Sequence, residues 1–262
     1  MHKIKVKENI IRTDLVLEDN SKNITNQTKK KYKDIEIINC KKDKYNYTTI
    51  YLDDITDTIS FYNIEKVLIE ELNKYIKVDK KDIILVIGLG NNKSTPDSLG
   101  PKTIDNVLPT RYLFELGEVE EEYSNVSVYS PNVLGNTGIE SISIIKAIIK
   151  DIKATKVIVI DSLKANNLKR LIKTIQITDS GIHPGSGINN NRGEISKETI
   201  NCDVIAIGIP TVVDINTITN KNDKSFIVTP TNIDFVIEKF SKLLSESINI
   251  VLHKVINRQI NH

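Results

Sequence analysis

Apolar residues along this chain keep two rhythms. The stretches 83–87 (IILVI), 157–160 (VIVI) and 204–209 (VIAIGI) are unbroken, short and rich in β-branched residues. Runs of that length and composition fit strands buried on both faces. Residues 59–77 keep the other rhythm, with Phe61, Ile64, Val67, Leu68, Leu72 and Ile76 spaced by three or four. That spacing lines one face of a helix. Further helices are expected from Ser98 to about Leu108, from Thr137 to about Ile152, and from Thr231 to about His253. Thr137 is placed to cap its helix, with Glu140 at the capping-box offset. Residues 35–39 and 47–52, joined by the polar stretch 41–44, predict a hairpin or small lobe. Residues 126–129 and 174–178 predict two more strands. Residues 1–34 lack periodicity and read as an arm, with residues 10–16 as a more ordered island. Alternation of helices with Val/Ile-rich strands predicts an α/β fold. It is a three-layer sandwich with a mainly parallel central sheet, plus a small N-terminal β-hairpin extension.

Composition narrows the classes. The 262 residues are enough for one large domain. Thirty-six basic and 34 acidic residues leave a net charge of +2, which makes no electrostatic case for nucleic acid or an anionic membrane. Lys29-Lys30-Lys31 reads as a solvated loop. No stretch approaches the roughly 18 apolar residues of a membrane span, and residues 1–14 contain no signal-peptide core. Cys40 and Cys202 are the two cysteines, far apart and in no metal-like spacing. They fit a reducing compartment, so a cytoplasmic location is expected. Cys202 reads as a buried spectator rather than a nucleophile.

The candidate chemistry gathers where strands end. Gly88 and Gly90 follow the run at 83–87, a polar loop follows them, and Asp97 stands just after Pro96. Asp161 directly follows the run at 157–160. In open α/β sheets, ligands bind beyond the carboxyl ends of the strands. Each aspartate could instead serve as a cap or turn residue. Residues 179–187 (DSGIHPGSG) form a polar, glycine-dense loop carrying His183 and Ser186. A dinucleotide fingerprint lacks its third glycine and its later acid. No phosphate-binding loop, hydrolase elbow or His-Glu-x-x-His is present. Two carboxyls and one histidine remain. Paired carboxyls can split the work, one activating water as a base and the other protonating a leaving amine. The same trio, Asp97, Asp161 and His183, could instead hold a divalent metal.

The blocks IGLGNNKSTPDSLGPKTIDN, VIVIDSL, IQITDSGIHPGSGINNNRGEIS and VIAIGIPTVVD resemble the germination proteases of spore-forming bacteria. The likeness runs from about residue 82 to 215. It includes the island RTDLVLE and, more weakly, IVTPTNIDFVIEKF. The resemblance implies a cytoplasmic endopeptidase of the spore core that degrades small acid-soluble spore proteins during germination. It implies a homotetramer, without direct nucleic-acid or membrane binding. It also implies a zymogen that removes its own propeptide, residues 1–14, by cutting between Asp14 and Leu15, leaving a single domain over 15–262. The family's proposed catalytic aspartates carry over onto Asp97 and Asp161. His183, Gly90, Asn91 and Ser186 are supporting candidates, with Gly90, Asn91 and the 181–187 loop expected to supply backbone donors to an oxyanion. No cofactor is expected on the two-aspartate reading. The implied fold is that of the hydrogenase maturation endopeptidases, whose metal ligation makes a divalent ion the alternative. A non-catalytic peptide-binding relative is a further alternative. The chain departs from the family in length, because only residues 216–224 stand where members usually carry a long insertion. The run Asn189-Asn190-Asn191 is a milder departure.

Overall fold

The computed structural model describes residues 14–18, 23–183, 193–219 and 226–253. Arg12, Thr13, Ser186, the greater part of the loop around it and the Asn189-Asn190-Asn191 run lie outside the described residues.

The chain first lays down a meander, β1 (Ile24–Tyr32), β2 (Ile35–Lys42) and β3 (Tyr45–Tyr51). α1 (Thr58–Tyr75) follows, its first turn capped by the Asp57 carboxylate, which accepts from the Ser60 N–H at 2.8 Å. Next come β4 (Ile83–Gly88), α2 (Leu99–Ile104), α3 (Arg111–Leu116) and β5 (Asn125–Tyr129). Then follow α4 (Leu134–Thr137), α5 (Ser141–Ile152), β6 (Lys156–Ala165) and β7 (Thr174–Thr178). The chain goes on through α6 (Lys197–Ile200), β8 (Asp203–Asp214), α7 (Ile215–Thr219), β9 (Ile227–Val228) and α8 (Ile233–Leu252).

Among the described residues the strands form one nine-stranded sheet, in the order β1-β2-β3-β7-β8-β6-β4-β5, with β9 beside β8. β5, β4, β6 and β8 are parallel, and β7 and the meander are antiparallel. The uninterrupted apolar runs are explained by burial on both faces. Ile84, Val86, Ile158 and Ile160 meet α1, α2 and α8 on one side. Leu85, Ile87, Val157 and Val159 meet Ile145 and Ile149 of α5 on the other. Each such side chain contributes about 1.5–3 kcal/mol on burial. Helices on both faces make the expected three-layer α/β sandwich.

Four local expectations change. The hairpin is no separate lobe, because β3 pairs with β7 and continues the main sheet. Residues 24–32, expected as arm, form β1, with Lys29-Lys30-Lys31 in it rather than in a loop. This outermost strand is exposed along nearly its whole length, so no alternation marks it in the sequence. The helix begun near Ser98 ends at Ile104, short of Leu108. Thr137 closes a short helix instead of opening a long one. Gly138 follows it in the left-handed region at φ 72°, where glycine ends helices, and Glu140 is the N-cap of α5.

Candidate active site

β4 stops at Gly88, level with Ile160 of β6. The chain then turns sharply. Gly90 has φ 119°, and a Cβ there would lie 1.9 Å from the Asp97 carbonyl oxygen, so only glycine fits. The loop closes on itself, with the Asn91 N–H donating to the Asp97 carbonyl at 2.8 Å and the Asp97 N–H to the Ser94 carbonyl at 2.8 Å. The Thr211 hydroxyl of β8 donates to the Pro96 carbonyl at 2.7 Å and ties the loop to the sheet. Asp97 is thereby delivered over the end of β4 on a loop with little freedom.

Asp161 is placed differently. It does not end its strand, since β6 continues four residues further to Ala165, paired with β8. The strand overruns β4, and Asp161 lines the cleft at the start of the overrun. It is buried, 6% exposed, and its Oδ1 accepts from the Ser162 N–H at 2.9 Å. Asp97 is half-buried.

The two aspartates line one cleft of about 270 Å³, together with Gly90, His183, Lys164 and Asp14. The sequence-predicted residues Asp97, Asp161, Gly90 and His183 therefore converge. Asn91 does not line this cleft. Its N–H is committed to the Asp97 carbonyl, and its Oδ1 accepts from the Lys93 N–H at 3.0 Å and from Asn136 Nδ2 at 2.9 Å. Asn91 thus shapes the loop rather than facing the cleft. His183 is 62% exposed along its side chain, with Nε2 3.4 Å from the Glu194 carboxylate. Its stem is pinned where Ile182 and Ile195 exchange backbone hydrogen bonds at 2.9 Å each way. Among the described residues, no group of three His, Cys, Asp or Glu side chains is placed to hold a metal ion. Cys202 is buried with its thiol donating to the Ala154 carbonyl at 2.9 Å, and burial pushes its pKa up, opposite to what a nucleophile needs.

The sequence alone did not single out three neighbours of the cleft. Lys164, on the overrun of β6, pairs with Asp214 of β8 at 3.2 Å, both buried. Asn132, at φ 61°, lines the cleft and is joined to Asn136. Gln176 on β7 touches the segment 14–18. The continued alternation Asp161-Ser162-Leu163-Lys164-Ala165, with its poor turn chemistry, is the available signal for the first. For the other two the sequence carries no local signal, because their partners are distant in the chain.

The germination protease family profile matches residues 3–224 of this chain. The chain belongs to the germination protease family. A germination protease of Priestia megaterium is 45% identical over 195 residues, covering 72% of this chain and 50% of that protein. One from a Geobacillus species is 42% identical over 208 residues, covering 77% of this chain and 53% of its own length. A Bacillus cereus germination protease gives the same identity, with 54% of its length covered. The chain thus spans about half the length of the curated germination proteases it matches. Among solved structures, a NiFe hydrogenase maturation protease from Thermococcus kodakarensis is similar at 16% identity and a TM-score of 0.39, covering 68% of this chain and 98% of its own.

Proposed function

We propose that the chain is an endopeptidase that opens small acid-soluble spore proteins during germination in the cytoplasm of the spore core, using Asp97 and Asp161. It is made as a zymogen, and residues 1–14 leave as a propeptide when the chain cuts itself between Asp14 and Leu15. The observation that carries this reading is that Asp14 lines the same cleft as Asp97 and Asp161. The residue before the expected cut thus lines the cleft of both expected acids.

One aspartate takes a proton from water, whose oxygen attacks the carbonyl carbon, and the other gives its proton to the departing amine. No covalent intermediate and no cofactor is needed. Asp14 in the cleft supports blockage as the way the propeptide silences the enzyme. Assembly as a homotetramer, with no nucleic acid or membrane as partner, belongs to the same reading.

Acidifying the purified full-length chain and following its intact mass tests the proposal. Loss of the residues up to Asp14 is expected, and Asp97→Asn and Asp161→Asn should each abolish it while leaving thermal unfolding unchanged. Cleavage retained in both single variants would sink the assignment. Activity lost on chelation and restored by a divalent ion would favour a metal-dependent reaction. Binding of a spore-protein peptide without any cutting would favour a non-catalytic relative.

A further inference from the structure

The segment 14–18 is held by the sheet as though it were a bound peptide. The Asp14 N–H donates to the Lys164 carbonyl at 3.2 Å, and the Lys164 N–H donates to Asp14 Oδ2 at 2.9 Å. Leu15 is 2% exposed and packs with Leu163 and Ala165. The Asn166 N–H donates to the Glu18 carboxylate at 2.6 Å. These contacts fix the register of the segment along the overrun of β6. Within that register one side-chain amide brackets the Asp14–Leu15 peptide bond. Gln176 Nε2 donates to the Asp14 carbonyl oxygen at 3.0 Å, and the Val16 N–H donates to Gln176 Oε1 at 2.8 Å. Gln176 is itself 6% exposed and fixed in β7 between Thr49 and Gly208, so its amide is pre-oriented and dry.

Resting on the endopeptidase reading, we propose that Gln176 is a catalytic residue, the side-chain donor that stabilises the oxyanion, and that its other amide atom clamps the residue two positions beyond the cut. The carbonyl it touches is that of the bond between Asp14 and Leu15. When water attacks that carbon, the carbonyl π pair moves onto the oxygen, and the Gln176 N–H already points at it. Collapse returns the pair and breaks the bond to the Leu15 nitrogen, which takes a proton from the acid aspartate while the water proton stays with the base. A buried, preorganised donor is worth far more to an oxyanion than to a neutral carbonyl. Because the amide meets only backbone atoms, it would serve any peptide seated there with the same turn that residues 16–18 make, including a spore-protein segment.

Three full-length proteins test this in the self-cleavage assay: wild type, Gln176→Leu and Gln176→Glu. Gln176→Leu, close in size but without the donor, should cut about a hundredfold to a thousandfold more slowly. A glutamate has no donor when ionised and regains one when protonated. The rate of Gln176→Glu relative to wild type should therefore rise as the pH falls, whereas Gln176→Leu should stay at a constant deficit. Equal rates for wild type and Gln176→Leu, or a Glu variant whose deficit ignores pH, would overturn the oxyanion role and leave the protease reading intact. Should Gln176→Leu fail to fold, the pH profile of Gln176→Glu decides alone. No cleavage by wild type, with Asp97→Asn and Asp161→Asn indistinguishable from it, would overturn both proposals together.

Discussion

Two neighbouring parallel strands end in opposite ways. β4 stops at Gly88 and hands the chain to a tight loop that brings Asp97 back. β6 runs on past Asp161 to Ala165 and offers its backbone to residues 14–18. The stop makes room and the overrun makes a rail. Neither alone would bring Asp14 and the two carboxyls to one cleft. The cleft end of this α/β sheet is thus an offset between strand lengths rather than a row of matched loop tips.

The comparison breaks most severely at Gly90. In Gly90→Ala the new methyl would meet the Asp97 carbonyl oxygen, and the φ of 119° suits no other residue. The loop must shift, and a displacement of about 1 Å at a reacting group costs on the order of a hundredfold in rate. Self-cleavage followed by intact mass should fall by at least that factor. Binding of the segment 14–18, read by hydrogen exchange at the Val16 amide, should change little. Loss of that protection would mean that loop and rail are not separable.

The rail is the next place to press. Lys164 and Asp214 form a buried pair across β6 and β8 at 3.2 Å. Asp214→Asn leaves the ammonium of Lys164 buried without that charge, a defect worth about 3–5 kcal/mol. Urea unfolding should show it, and joint replacement by Lys164→Met and Asp214→Leu should recover much of the loss. A single variant as stable as wild type would show that the pair adds nothing to the overrun.

The smallest expected effect lies away from both strand ends. His253 caps α8, fully buried, with Nδ1 accepting from the Ser124 N–H at 3.4 Å and Nε2 3.3 Å from the Leu108 carbonyl. Burial holds its pKa below the ordinary 6.5, partly countered by the Leu108 hydrogen bond. The unfolded chain therefore takes up this proton first as the solution acidifies. Its contribution to stability is full above pH 6.5 and is lost as pH falls below that value. His253→Gln should flatten that part of the pH dependence of the urea midpoint while leaving the relative effects at Gly90 and Asp214 untouched. An unchanged slope would move the acid sensitivity elsewhere.

What the sequence disclosed follows from locality. Strands buried on both faces announce themselves as unbroken Ile/Val runs, and Asp161 directly after one run and Asp97 one polar loop after another identified both walls of the cleft. β1 escaped because an exposed edge strand imposes no apolar period. The full length of β6 escaped because Asp161, Ser162 and Lys164 resemble a strand's end unless β8 is known to run alongside. Gln176 escaped for the same reason in sharper form. Its amide meets backbone 160 and 162 positions away, and no pattern within β7 records that.

The lysine-rich strand at the sheet's far margin has a colloidal consequence. Among the described residues β1 pairs on one side alone, and Lys29, Lys30 and Lys31 stand exposed along it, Lys29 in an ion pair with Glu36. An open β edge is a template for another copy of the same chain. Two such edges brought together would set the ammonium groups of Lys30 and Lys31 against their copies, so crowding favours repulsion over zippering along this border. Screening shortens the reach of that repulsion to about 8 Å at physiological ionic strength. The safeguard therefore acts at near contact.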